Sequence, residues 1–309
     1  MSAEAVNLSS RLPRRRAVFA WDMHYACNYR CPYCFYTVAG WEELAKKCRY
    51  HSPEARTAGW GRVHARYGRC QLRITAGEPF TYPRFVDVVA AVTRDHDVQI
   101  TSNCSLPEAA AAFAERIDPA RAELDCTFHP LAADFEAFAG VVRLLRERGF
   151  VANVCYLAYP EQLSGMREFK RRFADHGIHM NLAIFWGRCR GRDYPHAYTE
   201  EEKALIRGVI GHDTGPETVG LEPMAINGKV CGAGQCYAVV QADGRVYRCG
   251  QRCHEAESLG SVFDPDFGLH PEALPCRADY CRCKEYQSAW RPEEARALDQ
   301  QGVIGEGAG

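Results

Sequence analysis

AVFAWDMHYACNYRCPYC (residues 17–34) joins a short apolar run directly to three closely spaced cysteines. Its first part, AVFAWDMH (17–24), has the length and composition of a buried β-strand. Cys27, Cys31 and Cys34 follow, separated by three and then two residues. The stretch therefore predicts a loop of three thiols immediately after a strand.

Apolar runs alternate with amphipathic segments from residue 17 to residue 210. Five more strands are predicted, at QLRIT (71–75), VQITS (98–102), AELDCTF (122–128), FVANVCYLA (150–158) and IHMNLAIFW (178–186). Helical periodicity marks PRFVDVVAAVTRDH (83–96), ADFEAFAGVVRLLRERG (133–149), SGMREFKRRFADHG (164–177) and YTEEEKALIRGVI (198–210). The last of these opens with Thr199 and Glu202 at the spacing of a capping box. Six strands alternating with helices predict an α/β fold, a partial (β/α)6 TIM-like barrel. Functional groups gather at the carboxyl ends of the strands in such folds, where the three thiols lie.

The pattern changes after residue 210, where glycines and cysteines replace the alternation. CYAVVQADGRVYRC (236–249) predicts a β-hairpin with Asp243 and Gly244 at its turn. We therefore expect four parts: a basic arm over residues 1–16, the barrel over 17–211, a small cysteine-rich domain over 212–290 and a frayed tail over 291–309.

Composition limits the function classes. The chain has 309 residues, 47% of them hydrophobic, and a net charge of −1, which suits one large domain with a small appendage. It has no apolar run of about 18 residues and no signal peptide, so we expect a cytoplasmic protein without a membrane span. The charge balance argues against general nucleic-acid binding, and Arg14–Arg16 form too short a basic patch to change that.

Sixteen cysteines in a reducing compartment favour metal binding or catalysis over disulfides. Six are scattered singly and are expected to be small core residues: Cys48, Cys70, Cys104, Cys126, Cys155 and Cys189. The others form two groups. Zinc would need four ligands, whereas C-x3-C-x2-C supplies three without a nearby fourth. Three thiolates on a [4Fe–4S] cluster leave one iron open to a small molecule. A zinc or purely structural role remains the alternative.

The chain resembles the radical S-adenosylmethionine (SAM) superfamily in three segments. C27-NYR-C31-PY-C34 resembles its C-x3-C-x-aromatic-C motif, and TAGEPF (75–80) resembles its glycine-glycine-glutamate segment with Ala76 at the first glycine. TSNCS (101–105) resembles the segment that holds the ribose and carboxylate of SAM. An ordinary polar loop is the alternative for this last segment.

The resemblance implies that Cys27, Cys31 and Cys34 hold the cluster that binds SAM. Small residues would let the backbone approach the methionine part of SAM, and Glu78 would take its ammonium group. The implied SAM contacts are Tyr33 on the adenine side, Gly77, Glu78, Ser102, Asn103 and His129 of CTFHP (126–130). A solvent-facing loop position is the alternative for His129.

By the same resemblance, the reduced cluster passes one electron to SAM, with flavodoxin or ferredoxin as the expected donor. The resulting 5′-deoxyadenosyl radical removes hydrogen from an unactivated C–H bond. The cofactor then carries the difficult chemistry, and the protein orients and shields it.

The second cysteine group is Cys231, Cys236, Cys249, Cys253, Cys276, Cys281 and Cys283. Its spacing resembles the auxiliary-cluster appendage of the superfamily in the short form, which implies one auxiliary [4Fe–4S] cluster. A zinc ribbon is the alternative, although C-x4-C and C-x-C are poor zinc spacings. The family pattern makes Cys249 a ligand, but Cys253 can take its place. The four ligands would then come from Cys231, Cys236, Cys253, Cys276, Cys281 and Cys283.

A free Cys249 thiol would return a hydrogen atom to a substrate radical from the opposite face and so invert that carbon. A nearby reduced cluster would supply the electron that restores the thiol. Short superfamily members with one auxiliary cluster act on aminoglycosides and aminocyclitols. The chain most resembles epimerases of the type that converts neomycin C to neomycin B, which implies a radical SAM epimerase of an aminoglycoside.

Three alternatives stay open. A dehydrogenase of an aminocyclitol or aminosugar would use the same scaffold without a hydrogen donor. A peptide-modifying enzyme would need a separate partner to bring the peptide, since about sixteen residues precede the first strand. An iron–sulfur electron carrier would need neither the Gly77-Glu78 loop nor a barrel.

An aminosugar substrate requires carboxylates, because buried ammonium groups need ionic partners. Asp22 in WDMH and Glu222 in GLEPMAING are candidates, with an ordinary structural role as the alternative for each. The net charge of −1 gives no global attraction for a polycation, so any attraction must be local.

Overall fold

The computed structural model describes residues 17–34, 43, 46, 51–210, 220, 221, 224–250 and 258–281. The predicted arm (1–16) and tail (291–309) lie outside these residues, as do Glu222, Cys253 and Cys283.

Six parallel strands pair in chain order and form the barrel sheet. They are β1 (Val18–Asp22), β2 (Gln71–Thr75), β3 (Asp97–Ser102), β4 (Ala122–Phe128), β5 (Val151–Ala158) and β6 (Met180–Ile184). The predicted α/β fold, a partial barrel with parallel strands, is confirmed.

Helices connect these strands and cover one face of the sheet. The described helices are α1 (Pro53–Tyr67), α2 (Phe85–Val92), α3 (Pro107–Arg116), α4 (Phe135–Glu147), α5 (Met166–Asp175) and α6 (Glu200–Ile210). The capping box forms at α6, where Glu202 N donates to Thr199 Oγ1 (3.2 Å) and Thr199 N donates to Glu202 Oε2 (2.8 Å). Two helices were not predicted: α1, which contains two glycines and a buried arginine, and α3, whose alanines weaken the apolar periodicity.

The remaining strands are short. They are β7 (Gly187–Cys189), β8 (Arg192–Tyr194), β9 (Met224–Ala225), β10 (Val230–Cys231), β11 (Tyr237–Val240), β12 (Arg245–Tyr247), β13 (Ser258–Ser261), β14 (Leu274–Pro275) and β15 (Tyr280–Cys281). β11 and β12 are the predicted hairpin, and Gly244 at its turn has φ +88°. β11 also pairs in parallel with β1, and β13 pairs with β12, so the hairpin and β13 together extend the barrel sheet to nine strands. The domain boundaries stay predictions.

The two faces of the barrel sheet differ in the burial and polarity of their side chains. Every second residue of β2 to β5 is buried against the helices, and most of these residues are apolar, as with Leu72, Ile74 and Leu124. The alternate residues face the inside of the barrel and are less buried. Within the described residues, no helix combines the length and apolar character needed to cross a membrane.

Phe128 is the centre of the core between β4 and the helices α4 and α5. Its ring lies 4.9–5.9 Å, centroid to centroid, from those of Phe135, Phe138, Phe169 and Phe173. Replacement by alanine would remove these contacts and leave a cavity that the surrounding rings fill incompletely.

We therefore predict that Phe128→Ala lowers the free energy of unfolding by about 3–5 kcal/mol. Urea denaturation followed by circular dichroism measures the change. Val151→Ala on the neighbouring strand is the control, because Val151 is 55% exposed and its replacement should change stability by no more than about 0.5 kcal/mol. Equal midpoints for the two variants would contradict this account of the core.

Candidate functional site

The three cysteines lie on the loop that follows β1, at the carboxyl end of the sheet. Cys31 is buried, and Cys27 and Cys34 are half-buried. Burial raises the pKa of Cys27 to about 11, and the charges of Glu78, Cys34 and Cys31 act in the same direction. Burial, followed by the charge of Cys34, also raises the pKa of Cys31. The thiols are therefore close enough to influence one another, which the spacing alone did not establish.

The loop after β2 contacts the cysteine loop through backbone atoms at Gly77. Gly77 has φ +56°, and a Cβ on it would lie 2.2 Å from the carbonyl oxygen of Ala26. The next amide, Glu78 N, donates to that same oxygen at 2.9 Å. Only glycine satisfies both the positive φ and this close approach.

Ala76, which stands at the first glycine of the resembled motif, also has a positive φ of +69°. An L-residue other than glycine, asparagine or aspartate rarely adopts this conformation. The Ala76 methyl group packs with Tyr25 and Ala242 in a small buried cluster. The substitution is thus accommodated at the cost of local backbone strain.

The Glu78 carboxylate is buried, 1% exposed, and ties the second loop to the third. Oε1 accepts from Ser102 Oγ (2.9 Å) and Phe80 N (3.2 Å), and Oε2 accepts from Asn103 N (2.7 Å). Burial raises its pKa to about 7, and these three donors oppose the rise. The carboxylate therefore orders Ser102 and Asn103, and any contact with a ligand would have to be shared with these donors.

Asn103 connects the third loop to the cysteine loop. Its Nδ2 donates to Asn28 Oδ1 (3.0 Å) and lies 3.9 Å from the sulfur of Cys27. Asn28 Nδ2 in turn donates to Ser105 Oγ (2.7 Å). The structure thus brings the three sequence motifs together at one edge of the sheet. Asn28 and Ser105 were missed in the sequence analysis, although both lie within the quoted motifs.

Tyr33 and His129 meet on the other side of the cysteine loop. The Tyr33 hydroxyl lies 2.9 Å from His129 Nδ1, and the rings stack with centroids 5.8 Å apart. Burial lowers the pKa of His129 to about 4, so the imidazole is neutral near pH 7. Tyr159 packs on Tyr33 with ring centroids 4.9 Å apart. Tyr33 and His129, which were each predicted to contact SAM, therefore contact one another next to the thiols.

Arg56 of α1 joins the hairpin to this region, and no sequence motif marks it. The residue is 2% exposed; its Nε donates to Tyr82 Oη (2.8 Å) and its Nη2 to Met23 O (3.0 Å). Nη2 also lies 3.5 Å from Ala242 O, next to the hairpin turn. The guanidinium stacks over the ring of Tyr82, 4.9 Å from its centroid. A buried cation thus fixes the end of β1 relative to β11.

Five cysteines of the second group lie in one buried cluster against the inner face of β1 and β11. They are Cys231, Cys236, Cys249, Cys276 and Cys281. Burial raises the pKa of Cys231 to about 11; the charges of Cys276 and Cys249 add to the rise, and Arg248 opposes it. Arg248 is 2% exposed and donates to the carbonyls of Ala233, Pro275 and Leu274. It therefore joins the segments that carry these thiols.

The three thiols of the first loop are the ligand type that holds [4Fe–4S] clusters. In the described part of the chain, no group of three or more His, Cys, Asp or Glu side chains converges closely enough to hold one metal ion. A multi-iron cluster is larger than an ion, so its thiolates stand further apart. Tyr29 N donates to the sulfur of Cys27 (3.3 Å), a contact that stabilises a thiolate. Coordination deprotonates thiols despite raised pKa values.

Adjacent positions 76 and 77 offer a matched test of the loop contact. Gly77→Ala places a methyl group against backbone that cannot move independently, so we expect a loss of several kcal/mol in the free energy of unfolding. Ala76→Gly relieves backbone strain but adds freedom to the unfolded chain, so its change should stay within about 1 kcal/mol. Urea unfolding of the two variants measures both. A Gly77→Ala protein as stable as the Ala76→Gly protein would contradict the close approach.

The chain resembles known proteins both in sequence and in fold, and the sequence matches cover part of the chain. The sequence model of the radical SAM superfamily matches residues 22–169. A GTP 3′,8-cyclase of Paenarthrobacter nicotinovorans is 31% identical over 121 residues, 38% of this chain and 32% of that protein. The chain therefore matches about a third of the length of this curated relative.

Two solved structures share the fold. The structure of anSMEcpe with bound AdoMet superposes with a TM-score of 0.57 at 14% identity, over 80% of this chain and 78% of the other. Streptococcus suis SuiB gives a TM-score of 0.59 at 11% identity, over 82% of this chain and 64% of the other. At these identities the likeness concerns the fold alone. The residues that match the radical SAM superfamily model, 22–169, are the range that carries the three converging loops.

Proposed function

We propose that this protein is a radical SAM epimerase that inverts a ring carbon of an aminoglycoside, as in the conversion of neomycin C to neomycin B. The match to the radical SAM superfamily over residues 22–169 supports a [4Fe–4S] cluster and SAM as cofactors, and Cys27, Cys31 and Cys34 would hold that cluster. When bound, the cluster and SAM supply a carbon radical that removes a hydrogen atom from the substrate.

The three loops would bind SAM beside the thiols. Ser102 and Asn103 are held by the Glu78 carboxylate and by Asn28, so they are preorganised for the ribose and the carboxylate. Gly77 would hold the backbone of the second loop against the cysteine loop, beside the place where the methionine part of SAM would bind. The Glu78 carboxylate already accepts three hydrogen bonds within the chain. It would therefore bind the ammonium group of SAM in addition to these three donors.

The proposal of an epimerase rests mainly on the five thiols gathered at β1 and β11. A [4Fe–4S] cluster held by protein thiolates uses four. Five described cysteines supply one more than that, and Cys253 and Cys283 lie outside the described residues. Cys249 and Cys236 are half-buried, whereas the other three are buried. We assign the spare thiol to Cys249, with four of the remaining cysteines holding one auxiliary [4Fe–4S] cluster that supplies one-electron chemistry beside it.

Cys249 would act as the hydrogen donor. Its S–H bond breaks homolytically while a C–H bond forms on the face opposite to the one from which hydrogen was removed. The product is the inverted carbon and a thiyl radical on Cys249. One electron and one proton restore the thiol, and an external donor such as flavodoxin or ferredoxin supplies the electrons. A cytoplasmic location of this protein stays a prediction.

Replacement of Cys249 tests this role. Cys249→Ala should still form 5′-deoxyadenosine from SAM and keep its full iron content, but it should release no inverted product. Liquid chromatography with mass spectrometry and an iron assay measure these quantities. Cys70→Ala is the matched control, since Cys70 is buried just before β2 and its thiol donates to Gly68 O; this variant should invert the substrate normally. Loss of iron from Cys249→Ala would instead make Cys249 a ligand.

Solvent deuterium distinguishes the epimerase from the alternatives. A thiol exchanges its proton with water, so turnover in D2O should place one deuterium on the inverted carbon of neomycin B. A ketone product without deuterium at that carbon would favour a dehydrogenase. If neomycin C is not converted and only a peptide is, the enzyme modifies peptides and the aminoglycoside proposal is wrong.

A further inference from the structure

The sulfur of Cys27 lies beside two N–H groups. Tyr29 N donates to Cys27 Sγ at 3.3 Å, and Asn103 Nδ2 lies 3.9 Å from the same atom. A thiol sulfur is a weak acceptor, whereas a charged thiolate accepts stronger, charge-assisted hydrogen bonds. The first donor belongs to the cysteine loop itself, and the second comes from the loop after β3. A side chain of another loop is therefore placed against one of the three proposed cluster ligands.

Asn28, Asn103 and Ser105 form a closed ring of hydrogen bonds that fixes the direction of the Asn103 amide. Ser105 N donates to Asn103 Oδ1 (3.0 Å), Asn103 Nδ2 donates to Asn28 Oδ1 (3.0 Å), and Asn28 Nδ2 donates to Ser105 Oγ (2.7 Å). A backbone N–H can only donate, so the side-chain oxygen of Asn103 must face Ser105. Its NH2 group must then face Asn28 and Cys27. One backbone group thus determines the orientation of both side-chain amides.

The NH2 group of Asn103 has an acceptor within reach of each of its two hydrogens. One hydrogen is donated to Asn28 Oδ1, and the other is available to Cys27 Sγ. The backbone of Asn103 is held separately, because its N–H donates to Glu78 Oε2 (2.7 Å). Without the Asn28 side chain, the amide of Asn103 could turn away from the sulfur while the backbone stayed in place. Asn28 therefore controls the side chain of Asn103 rather than its loop.

Hydrogen bonds to the sulfurs of an iron–sulfur cluster influence its reduction potential. Reduction by one electron makes the cluster more negative, and an N–H group directed at a ligand sulfur stabilises the more negative state. Such a donor therefore raises the potential. A coordinated thiolate carries no proton, so Cys27 Sγ could not donate to Asn28 Oδ1, which lies 4.0 Å away. The Asn103 amide would then supply a hydrogen to each of these two acceptors.

We propose that Asn28 is a positioning residue that directs the Asn103 amide at Cys27 Sγ and so raises the reduction potential of the cluster bound there. Ser105 anchors Asn28 through its hydroxyl oxygen. The assignment rests on the proposed function, which places a [4Fe–4S] cluster at the three thiols of the first loop. It adds what sets the ease with which that cluster accepts an electron from its donor.

A redox titration of the complete, anaerobically reconstituted protein, followed by electron paramagnetic resonance, tests the inference. The titration is run without SAM, and the signal of the first cluster is identified in a parallel sample as the one that changes when SAM is added. Asn28→Ala and Ser105→Ala should each shift the midpoint potential of this signal to more negative values. The shift should be larger for Asn28→Ala, which removes both of its ring contacts. Ser105→Thr keeps the hydroxyl group and should retain the original potential.

Asn181→Ala is the matched control. It removes the same amide from an exposed position near the amino end of β6, away from the three loops, and should leave the potential unchanged. Any signal that does not respond to SAM serves as an internal reference and should keep its potential in every variant. Iron content and unfolding midpoints check that the variants are loaded and folded.

The outcomes separate the inference from the proposed function. If iron-loaded Asn28→Ala and Ser105→Ala keep the original potential, or if Ser105→Thr shifts as far as Ser105→Ala, the inference is wrong while the proposed function stands. If Asn28→Ala loses its iron, the two Ser105 variants decide. Loss of iron from Ser105→Ala would also overturn the inference, because its hydroxyl would then serve cluster assembly. If the unaltered protein binds no cluster that responds to SAM, the proposed function itself is wrong.

Discussion

The contact between Gly77 and Ala26 is the constraint on which the candidate site depends. It brings the backbone of the β2 loop so close to the cysteine loop that no side chain fits between them. Because the Glu78 amide bonds the same carbonyl and the Glu78 carboxylate holds the β3 loop, three separate loops become one unit. These backbone contacts position the thiols of Cys27, Cys31 and Cys34 together with the packing of Cys31 and Cys34 in the core.

The barrel sheet separates stability from chemistry by its two faces. Its outer face packs against the helices with aromatic and branched residues, and this packing holds the strands in register. Its inner face is consequently free to carry charged and amide side chains under the three loops. The hairpin extends the same sheet next to β1, so the second group of thiols shares the inner side of the barrel. Arg56 reinforces that arrangement by binding carbonyls at the ends of both β1 and β11.

Most of the fold could be predicted because strand and helix periodicities are local properties. All six barrel strands, four helices, the capping box of Thr199 and the hairpin turn at Gly244 follow from such patterns. The contacts of Arg56 and Arg248 could not, since each depends on carbonyls from distant segments. Polar and apolar residues alternate in QLRIT and AELDCTF, which indicates a polar inner face. Both segments were nevertheless predicted only as buried strands. For the site, the prediction from sequence reached only residue types. The type of Glu78 indicates a carboxylate that contacts SAM, but its three hydrogen bonds within the chain could not be predicted.

The central claim is that one radical site and one spare thiol face the same substrate carbon from opposite sides. A crystal structure of the reconstituted protein with SAM and neomycin C, with iron located by anomalous scattering, tests it most directly. We predict iron bound by Cys27, Cys31 and Cys34, and a second cluster whose ligands do not include Cys249. The Cys249 sulfur should face the reacting carbon across from the 5′ carbon of SAM. A Cys249 sulfur bonded to iron would contradict the account.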